Sequence, residues 1–184
     1  MNYLIVIDMQ NDFVTGSLGS TEARMIVQNV VKRIEKAKAD GWNIICTKDT
    51  HNDDYLNTPE GKKLPVPHCI AGTEGHDICA DVLKALPEGT TIYEKPIFGS
   101  TAMVADIVFE IQEREIEERD ASIELVGLCT DICVVSNAIL LKTFLPSANI
   151  SVNASCCAGV TPELHEAALK VMKSCQIDII EGDA

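Results

Sequence analysis

The chain has 184 residues, near the length of one typical domain, and 46% of them are hydrophobic, which argues against a disordered chain. It has 15 Lys and Arg against 28 Asp and Glu, so its net charge of −13 disfavours nucleic acid and anionic membrane surfaces as partners. No apolar run approaches the ~20 residues that cross a bilayer. We therefore expect one domain over residues 1–184 with no nucleic-acid or membrane partner, and homo-oligomer formation stays open.

Strand-length apolar runs alternate along the chain with stretches of helical periodicity. The predicted strands cover residues 3–7, 43–47, 91–94, 123–126, 150–153 and 177–180. The predicted helices cover residues 21–40, 78–86, about 102–119 and 132–144, and a last one opens at Thr161-Pro162-Glu163. This alternation predicts an α/β fold, a three-layer α/β/α structure with a six-stranded, parallel, doubly wound sheet.

Two features of the segments between these elements bear on function. The first strand begins almost at Met1, without a basic leader, which predicts a cytoplasmic protein. Residues 49–73 form a long polar loop, and loops of that length are usually functional. The eight cysteines include no CxxC pair, so we expect most of them to be small buried side chains with free thiols.

Polar residues follow four of the predicted strands. Asp8 follows the first, Asp49 and His51 the second, Lys95 the third, and Cys133 lies just after the fourth at the start of a helix. Because ligands bind beyond the carboxyl ends of parallel strands, these residues are expected to share one rim of the sheet. Taken singly, each has an ordinary alternative: a cap, a solvated charge or a packing residue.

Together, three of these residues form a nucleophile with its partners. A helix start and a nearby cation lower the pKa of a thiol, which predicts activation of Cys133 by Lys95. Asp8 is placed to take the thiol proton. The sequence thus indicates cysteine-based nucleophilic catalysis.

The same residues lie in two motifs that resemble a known family. Asp8 lies in VIDMQNDF (6–13), and Lys95-Pro96 precedes GLCTDICV (127–134). The order and spacing resemble the Asp–Lys–Cys triad of the isochorismatase-like cysteine hydrolases. The resemblance implies that Cys133 is the nucleophile and that the Leu128–Cys129 peptide bond is cis. It also implies that the backbone N–H groups of Cys129 and Cys133 form the oxyanion site.

Within that superfamily, the long loop resembles the metal site of nicotinamidases. The resemblance implies four ligands: Asp49, His51, Glu60 and His68. Two imidazoles with two carboxylates suit one divalent ion, zinc first, with iron or manganese as alternatives. Phe13 matches an aromatic residue that faces the substrate ring. Pro65 departs from the pattern, because nicotinamidases generally carry a second aromatic residue three positions before the last histidine.

The resemblance therefore implies a metal-assisted amidohydrolase that forms a thioester. The substrate that fits best is the small amide nicotinamide, hydrolysed to nicotinate and ammonia in NAD salvage. A first alternative is a metal-free relative acting on a carbamoyl or ureido amide, which Pro65 favours and the metal ligands disfavour. A flavodoxin-like carrier would need a phosphate-binding loop after the first strand, and MQNDF (9–13) is unsuited to that role. A catalytically dead binding module is disfavoured because all three triad positions are filled.

Overall fold

The apolar runs predicted as strands form one parallel sheet in the computed structural model, which describes residues 1–181. The strands within that range are β1 (Asn2–Ile7), β2 (Asn43–Asp49), β3 (Thr91–Lys95), β4 (Ser122–Leu128), β5 (Asn149–Ala158) and β6 (Asp178–Ile180). Their order in the sheet is β3-β2-β1-β4-β5-β6. The predicted doubly wound α/β fold is confirmed.

Helices cover both faces of this sheet. In the described part of the chain they are α1 (Asn11–Val14), α2 (Thr21–Ala39), α3 (Ala80–Ala85), α4 (Thr101–Glu113), α5 (Val135–Phe144) and α6 (Pro162–Ser174). In β1, Tyr3, Ile5 and Ile7 belong to the core shared with α4, α5 and α6. Leu4 and Val6 belong to the core shared with α2 and α3. A strand buried on both faces explains the continuous apolar run of β1.

Three elements differ from the sequence prediction. The helix predicted to reach residue 119 ends at Glu113, and Glu115 adopts a left-handed backbone with φ 52°. Ile116 follows the buried Ile111 by five positions, so it does not lie on the buried face of the helix. The apolar pattern therefore does not favour a helix that continues beyond Glu113. The short helix α1 was not predicted, and β5 runs five residues past the predicted end of that strand at residue 153.

The strand ends form the predicted rim. Asp49 pairs in register with Lys95, and Ile7 pairs with Gly127. Gly127 has φ 118°, and a Cβ atom there would lie 2.1 Å from the carbonyl oxygen of Ile7. Only glycine allows this approach, which sets the end of β1 beside the end of β4.

Two further features of the described residues are the character of the helices and the state of the cysteines. Between residues 1 and 181, no helix is long and apolar enough to cross a membrane. All eight cysteines are free thiols, and Cys175 alone among them is exposed. This agrees with the predicted packing role of most cysteines.

A buried ion pair joins α2 to the middle of the sheet. Arg33 Nε and Nη2 donate to the two carboxylate oxygens of Glu124 at 2.8 and 2.7 Å, and both side chains are buried. The guanidinium lies 4.4 Å from the centre of the Trp42 ring, and Asn153 Nδ2 donates to Glu124 Oε1 at 3.2 Å. Because two parallel hydrogen bonds join the two groups, each buried charge has the other as its counter-ion.

We expect Arg33→Met to lower the free energy of unfolding by about 3–5 kcal/mol, because it leaves the Glu124 carboxylate buried without its counter-ion. The double variant Arg33→Met/Glu124→Leu should recover most of that loss, since no buried charge remains. Urea unfolding followed by circular dichroism measures both. A single variant as stable as the original protein would contradict this assignment.

Candidate active site

Lys95, the last residue of β3, contacts both other members of the predicted triad. Its Nζ lies 2.6 Å from Asp8 Oδ2 and donates to Cys133 Sγ at 3.4 Å. The Asp8 contact is a short, buried ion pair. Asp8, Lys95 and Cys133 are 0%, 2% and 4% exposed. The structure therefore brings the three predicted residues together in a site closed to bulk water.

The backbone after β1 aims the Asp8 carboxylate. Asp8 has a left-handed conformation with φ 46°, which a non-glycine residue rarely adopts. Its N–H donates to Thr47 O at 3.2 Å, and its carbonyl accepts from Gln10 N at 2.7 Å. Thr47 Oγ1 donates to Asp8 Oδ1 at 2.7 Å. One carboxylate oxygen is thus held by β2 and the other faces Lys95.

The charge state of the thiol differs from the sequence prediction. Burial, and then the Asp8 carboxylate, raise the pKa of Cys133 well above its ordinary value, and Lys95 opposes them only in part. The predicted lowering of the Cys133 pKa is therefore wrong, because spacing along the chain does not reveal burial. The resting thiol is neutral and needs a base.

Asp8 and Lys95 have complementary charges. Burial raises the pKa of Asp8, with Lys95 acting in the opposite direction, so the carboxylate is a stronger base than an exposed one. Burial alone would lower the pKa of Lys95, but the nearby charges of Asp8, Cys133 and Asp49 together outweigh it, and the pKa is raised. Lys95 therefore keeps its proton while Asp8 can accept one.

Cys133 lies in a π-helical turn, Thr130–Val134, that leads directly into α5. The Leu128–Cys129 peptide bond before this turn is cis, as the family resemblance implies. The Cys129 carbonyl accepts from the N–H groups of Ile132 and Val134, both at 3.1 Å. These contacts fix the segment whose N–H groups at Cys129 and Cys133 are predicted to hold an oxyanion.

The four predicted metal ligands also come together. Asp49, His51, Glu60 and His68 each offer one ligand atom, all within 4.8 Å of one another. Asp49 Oδ2 lies 3.0 Å from His51 Nε2 and 3.4 Å from His68 Nε2, while Glu60 Oε1 lies 3.8 and 3.7 Å from the same nitrogens. Ligands about 2.0–2.1 Å from a tetrahedral ion are themselves about 3.3 Å apart. The donor set and spacing fit one divalent ion.

Charge and burial support that fit. Asp49 Oδ1 is buried and makes no hydrogen bond, its nearest cation being Lys95 Nζ at 3.5 Å. Burial would raise the pKa of Asp49, but hydrogen bonds from His51 and His68, together with the charge of Lys95, outweigh it and lower the pKa. Asp49 therefore stays ionised beside two imidazoles, which suits a cation between them.

Backbone pairing folds the long loop back onto β2. The His51 N–H donates to Cys69 O at 3.0 Å, and its carbonyl accepts from Ala71 N at 2.8 Å, which makes a parallel bridge between His51 and Ile70. His68 Nδ1 lies 2.8 Å from Val66 O, so its Nε2 faces the cluster. The bridge explains how two histidines 17 positions apart meet.

Glu60 reaches the cluster through a tight turn. Gly61 lies where a Cβ atom would be 2.1 Å from Tyr55 O, so the chain can close there only without a side chain. The Gly61 N–H donates to Thr58 Oγ1 at 3.0 Å, and Thr58 Oγ1 in turn donates to Tyr55 O at 2.7 Å. The half-buried Glu60 precedes this turn and points its carboxylate at the histidines.

Two aromatic rings line the cluster. The Phe13 ring centre lies 5.5 Å from that of His68, next to the predicted metal ligands. Tyr55, which the sequence analysis did not single out, lies 4.7 Å from His51 and 4.9 Å from His68, and its hydroxyl donates to Leu64 O at 2.9 Å. Pro65 is exposed. The sequence feature that could have pointed to Tyr55 is an aromatic residue between the predicted ligands His51 and Glu60 in a polar loop.

Gln10 is a second residue missed from the sequence. Its Nε2 donates to Asp49 O and His76 O at 2.8 and 2.9 Å, and its Oε1 accepts from Asp49 N at 2.7 Å. Its side chain therefore fixes the backbone of a predicted ligand from the segment that carries Asp8. The sequence feature that could have pointed to Gln10 is its position two residues after Asp8.

Comparison with known proteins agrees with this geometry. The PncA protein of the isochorismatase family from Bacillus subtilis (strain 168) is 32% identical over 173 residues, which cover 90% of this chain and 91% of that protein. The nicotinamidase/pyrazinamidase of Mycobacterium tuberculosis is 26% identical over 192 residues, covering 98% of each. The crystal structure of the pyrazinamidase of Pyrococcus horikoshii in complex with zinc has a TM-score of 0.79 at 26% identity, over 98% of this chain and 99% of that one. Because the isochorismatase domain also matches residues 2–184, the chain belongs to the isochorismatase domain family.

Proposed function

We propose that this chain is a metal-assisted amidohydrolase that converts nicotinamide and water into nicotinate and ammonia. One observation carries the proposal: Lys95 Nζ lies 2.6 Å from Asp8 and 3.5 Å from Asp49, so the triad and the four-ligand cluster share one buried cation. A nucleophile beside a metal centre suits a substrate with a reactive amide and a metal-binding ring. The names of the Mycobacterium and Pyrococcus relatives support the same amide class.

In the first half of the reaction, Cys133 replaces ammonia on the acyl carbon. Asp8 takes the thiol proton as Sγ bonds to the carboxamide carbon, and the carbonyl oxygen becomes an oxyanion held by the N–H groups of Cys129 and Cys133. The carbon–nitrogen bond then breaks, and the leaving nitrogen takes the proton from Asp8. The products are a thioester on Cys133 and ammonia.

In the second half, water releases the acid. Asp8 accepts a proton from the water as its oxygen bonds to the thioester carbon, and the same N–H groups hold the new oxyanion. The carbon–sulfur bond breaks, Sγ takes the proton from Asp8, and nicotinic acid leaves and gives up its own proton to water or ammonia as nicotinate. Lys95 keeps its charge throughout and balances the negative charge that passes between Asp8 and Cys133.

The cluster assigns the cofactor role to Asp49, His51, Glu60 and His68. A divalent ion held there, with zinc as the first choice and iron or manganese as alternatives, would supply a Lewis acid that orients the substrate. Phe13 lies beside His68 and is assigned to the substrate ring. We also infer that the chain acts as one domain in the cytoplasm.

Cys133→Ala is expected to abolish ammonia release from nicotinamide, because it removes the thiol that lies 3.4 Å from Lys95 Nζ. Cys46→Ala and Cys175→Ala serve as controls and should change stability only. The assay compares nicotinamide, pyrazinamide and a panel of carbamoyl amides. Turnover of carbamoyl amides alone would favour the alternative substrate class, and an active Cys133→Ala protein would refute the mechanism.

Asp8→Asn keeps the shape of the side chain but removes the base. Because the resting Cys133 thiol is neutral, we expect kcat to fall by roughly 10²–10⁴-fold. Circular dichroism and thermal unfolding check that the fold persists. If turnover is unchanged, Asp8 serves only to end β1.

The purified protein is expected to carry about one divalent ion per chain, measured by elemental analysis, because four ligands suffice for one site. His51→Ala and His68→Ala should remove most of it, whereas His165→Ala, in α6 and outside the cluster, should not. Chelation should lower nicotinamide turnover more than it lowers alkylation of Cys133, whose partners Asp8 and Lys95 are not ligands. A metal-free protein with full activity would exclude the metal from the reaction.

A further inference from the structure

We propose that Asn137 is a positioning residue for the nucleophile, holding the turn of Cys133 against the loop that follows Lys95. The inference builds on the proposed role of Cys133. Asn137 lies in the first turn of α5, four residues after Cys133, and is wholly buried. Neither the motifs nor the proposed chemistry uses it.

The amide group of Asn137 makes three hydrogen bonds. Its Nδ2 donates to Cys133 O at 2.8 Å and to Phe98 O at 3.1 Å. Its Oδ1 accepts from Ser100 N at 2.9 Å. One side chain therefore joins the backbone of the nucleophile to two points on the segment between β3 and α4.

Packing alone does not explain an amide at this position. The other buried residues of α5 are the apolar Ala138 and Leu141, in the core cluster that α5 shares with α4 and α6. Burying an amide without partners destabilises a protein, so an asparagine here is favourable only because of its hydrogen bonds. All of its bonds go to backbone groups on either side of the Lys95–Cys133 contact.

The loop between β3 and α4 packs closely against α5. A Cβ atom at Gly99 would be 2.5 Å from Leu140 Cδ1 and 3.8 Å from Ser136 Cβ, so the loop runs directly alongside α5. Gly99 lies between Phe98 and Ser100, the two residues that Asn137 binds. The loop is held at its start too, where Lys95 O accepts from Thr50 N at 2.9 Å.

These bonds set the separation of Lys95 and Cys133. Sheet pairing fixes the backbone of Lys95, whereas Cys133 belongs to an irregular turn with a different helical pitch from α5. Asn137 is hydrogen-bonded both to the Cys133 carbonyl in that turn and to the loop that follows β3. A shift of about 1 Å in Cys133 would break its 3.4 Å contact with Lys95, and displacements of that size cost up to roughly 10²-fold in rate.

Asn137→Thr and Asn137→Val form a matched pair that tests this role. Both lose the bonds to Phe98 and Ser100, but Thr can still donate to the carbonyl four residues earlier. Ser136 and Thr143 already make that bond in this region, to Ile132 O and Ile139 O at 2.6 and 2.7 Å. The two variants have the same shape, so a difference between them reports the bond to Cys133 O.

We expect Asn137→Val to lower both kcat for nicotinamide and the rate of Cys133 alkylation by iodoacetamide by about tenfold or more, with KM nearly unchanged. Asn137→Thr should recover only part of both rates, because it keeps the bond to Cys133 O but loses the two bonds to the loop. Mass spectrometry of the Cys133 peptide follows alkylation, and thermal unfolding records stability. Asn153→Val, which removes a buried amide from β5, is the control for stability loss and should leave Cys133 reactivity unchanged.

The proposal is overturned if Asn137→Thr and Asn137→Val give equal rates, if Asn137→Thr recovers the full rates, or if the rates of both fall only as far as that of Asn153→Val at the same loss of stability. Alkylation of Cys133 needs no substrate, so it decides the positioning role even if nicotinamide proves to be the wrong amide. Conversely, activity retained in Cys133→Ala would refute the proposed function while leaving the alkylation result valid. The two failures are therefore distinguishable.

Discussion

The rest of the site depends on the contacts of one charged group, the ammonium of Lys95. It lies within 3.5 Å of Asp8 Oδ2, Cys133 Sγ and Asp49 Oδ1, and it is almost fully buried. Two carboxylates at this depth have lost their hydration and repel each other. A cation between them offsets both effects. One buried charge thus stabilises the base, the thiol and a predicted metal ligand, so the two halves of the site are electrostatically coupled.

That coupling also bears on why the pKa of the Cys133 thiol is raised. A thiolate at Cys133 would add a third negative charge beside one ammonium, and burial already disfavours it. A neutral thiol next to a basic carboxylate keeps the number of buried charges low until the substrate arrives. The nucleophile is then formed only as the new bond develops, with Asp8 as the acceptor.

The sequence predicted the strands, the parallel sheet and the residues at its rim, because each of these follows from apolar runs and from the polar residues that end them. It did not predict the charge state of Cys133, which depends on burial, or the end of α4, which depends on where Ile116 packs. Tyr55, Gln10 and Asn137 were missed for a related reason. Their partners lie on other elements, so their roles appear only once the strands are assembled.

The positions of the site residues along the chain have a consequence for how the site is lost. The four residues of the cluster fall within residues 49–68, closed by the bridge between His51 and Ile70, whereas the triad spans residues 8–133. Ordering a short segment carries a smaller loop-closure entropy than joining three distant strands. A partly unfolded chain that keeps β1, β2 and β3 but releases β4 and α5 retains every cluster residue and loses the nucleophile. In such a chain, metal retention would no longer report a competent enzyme.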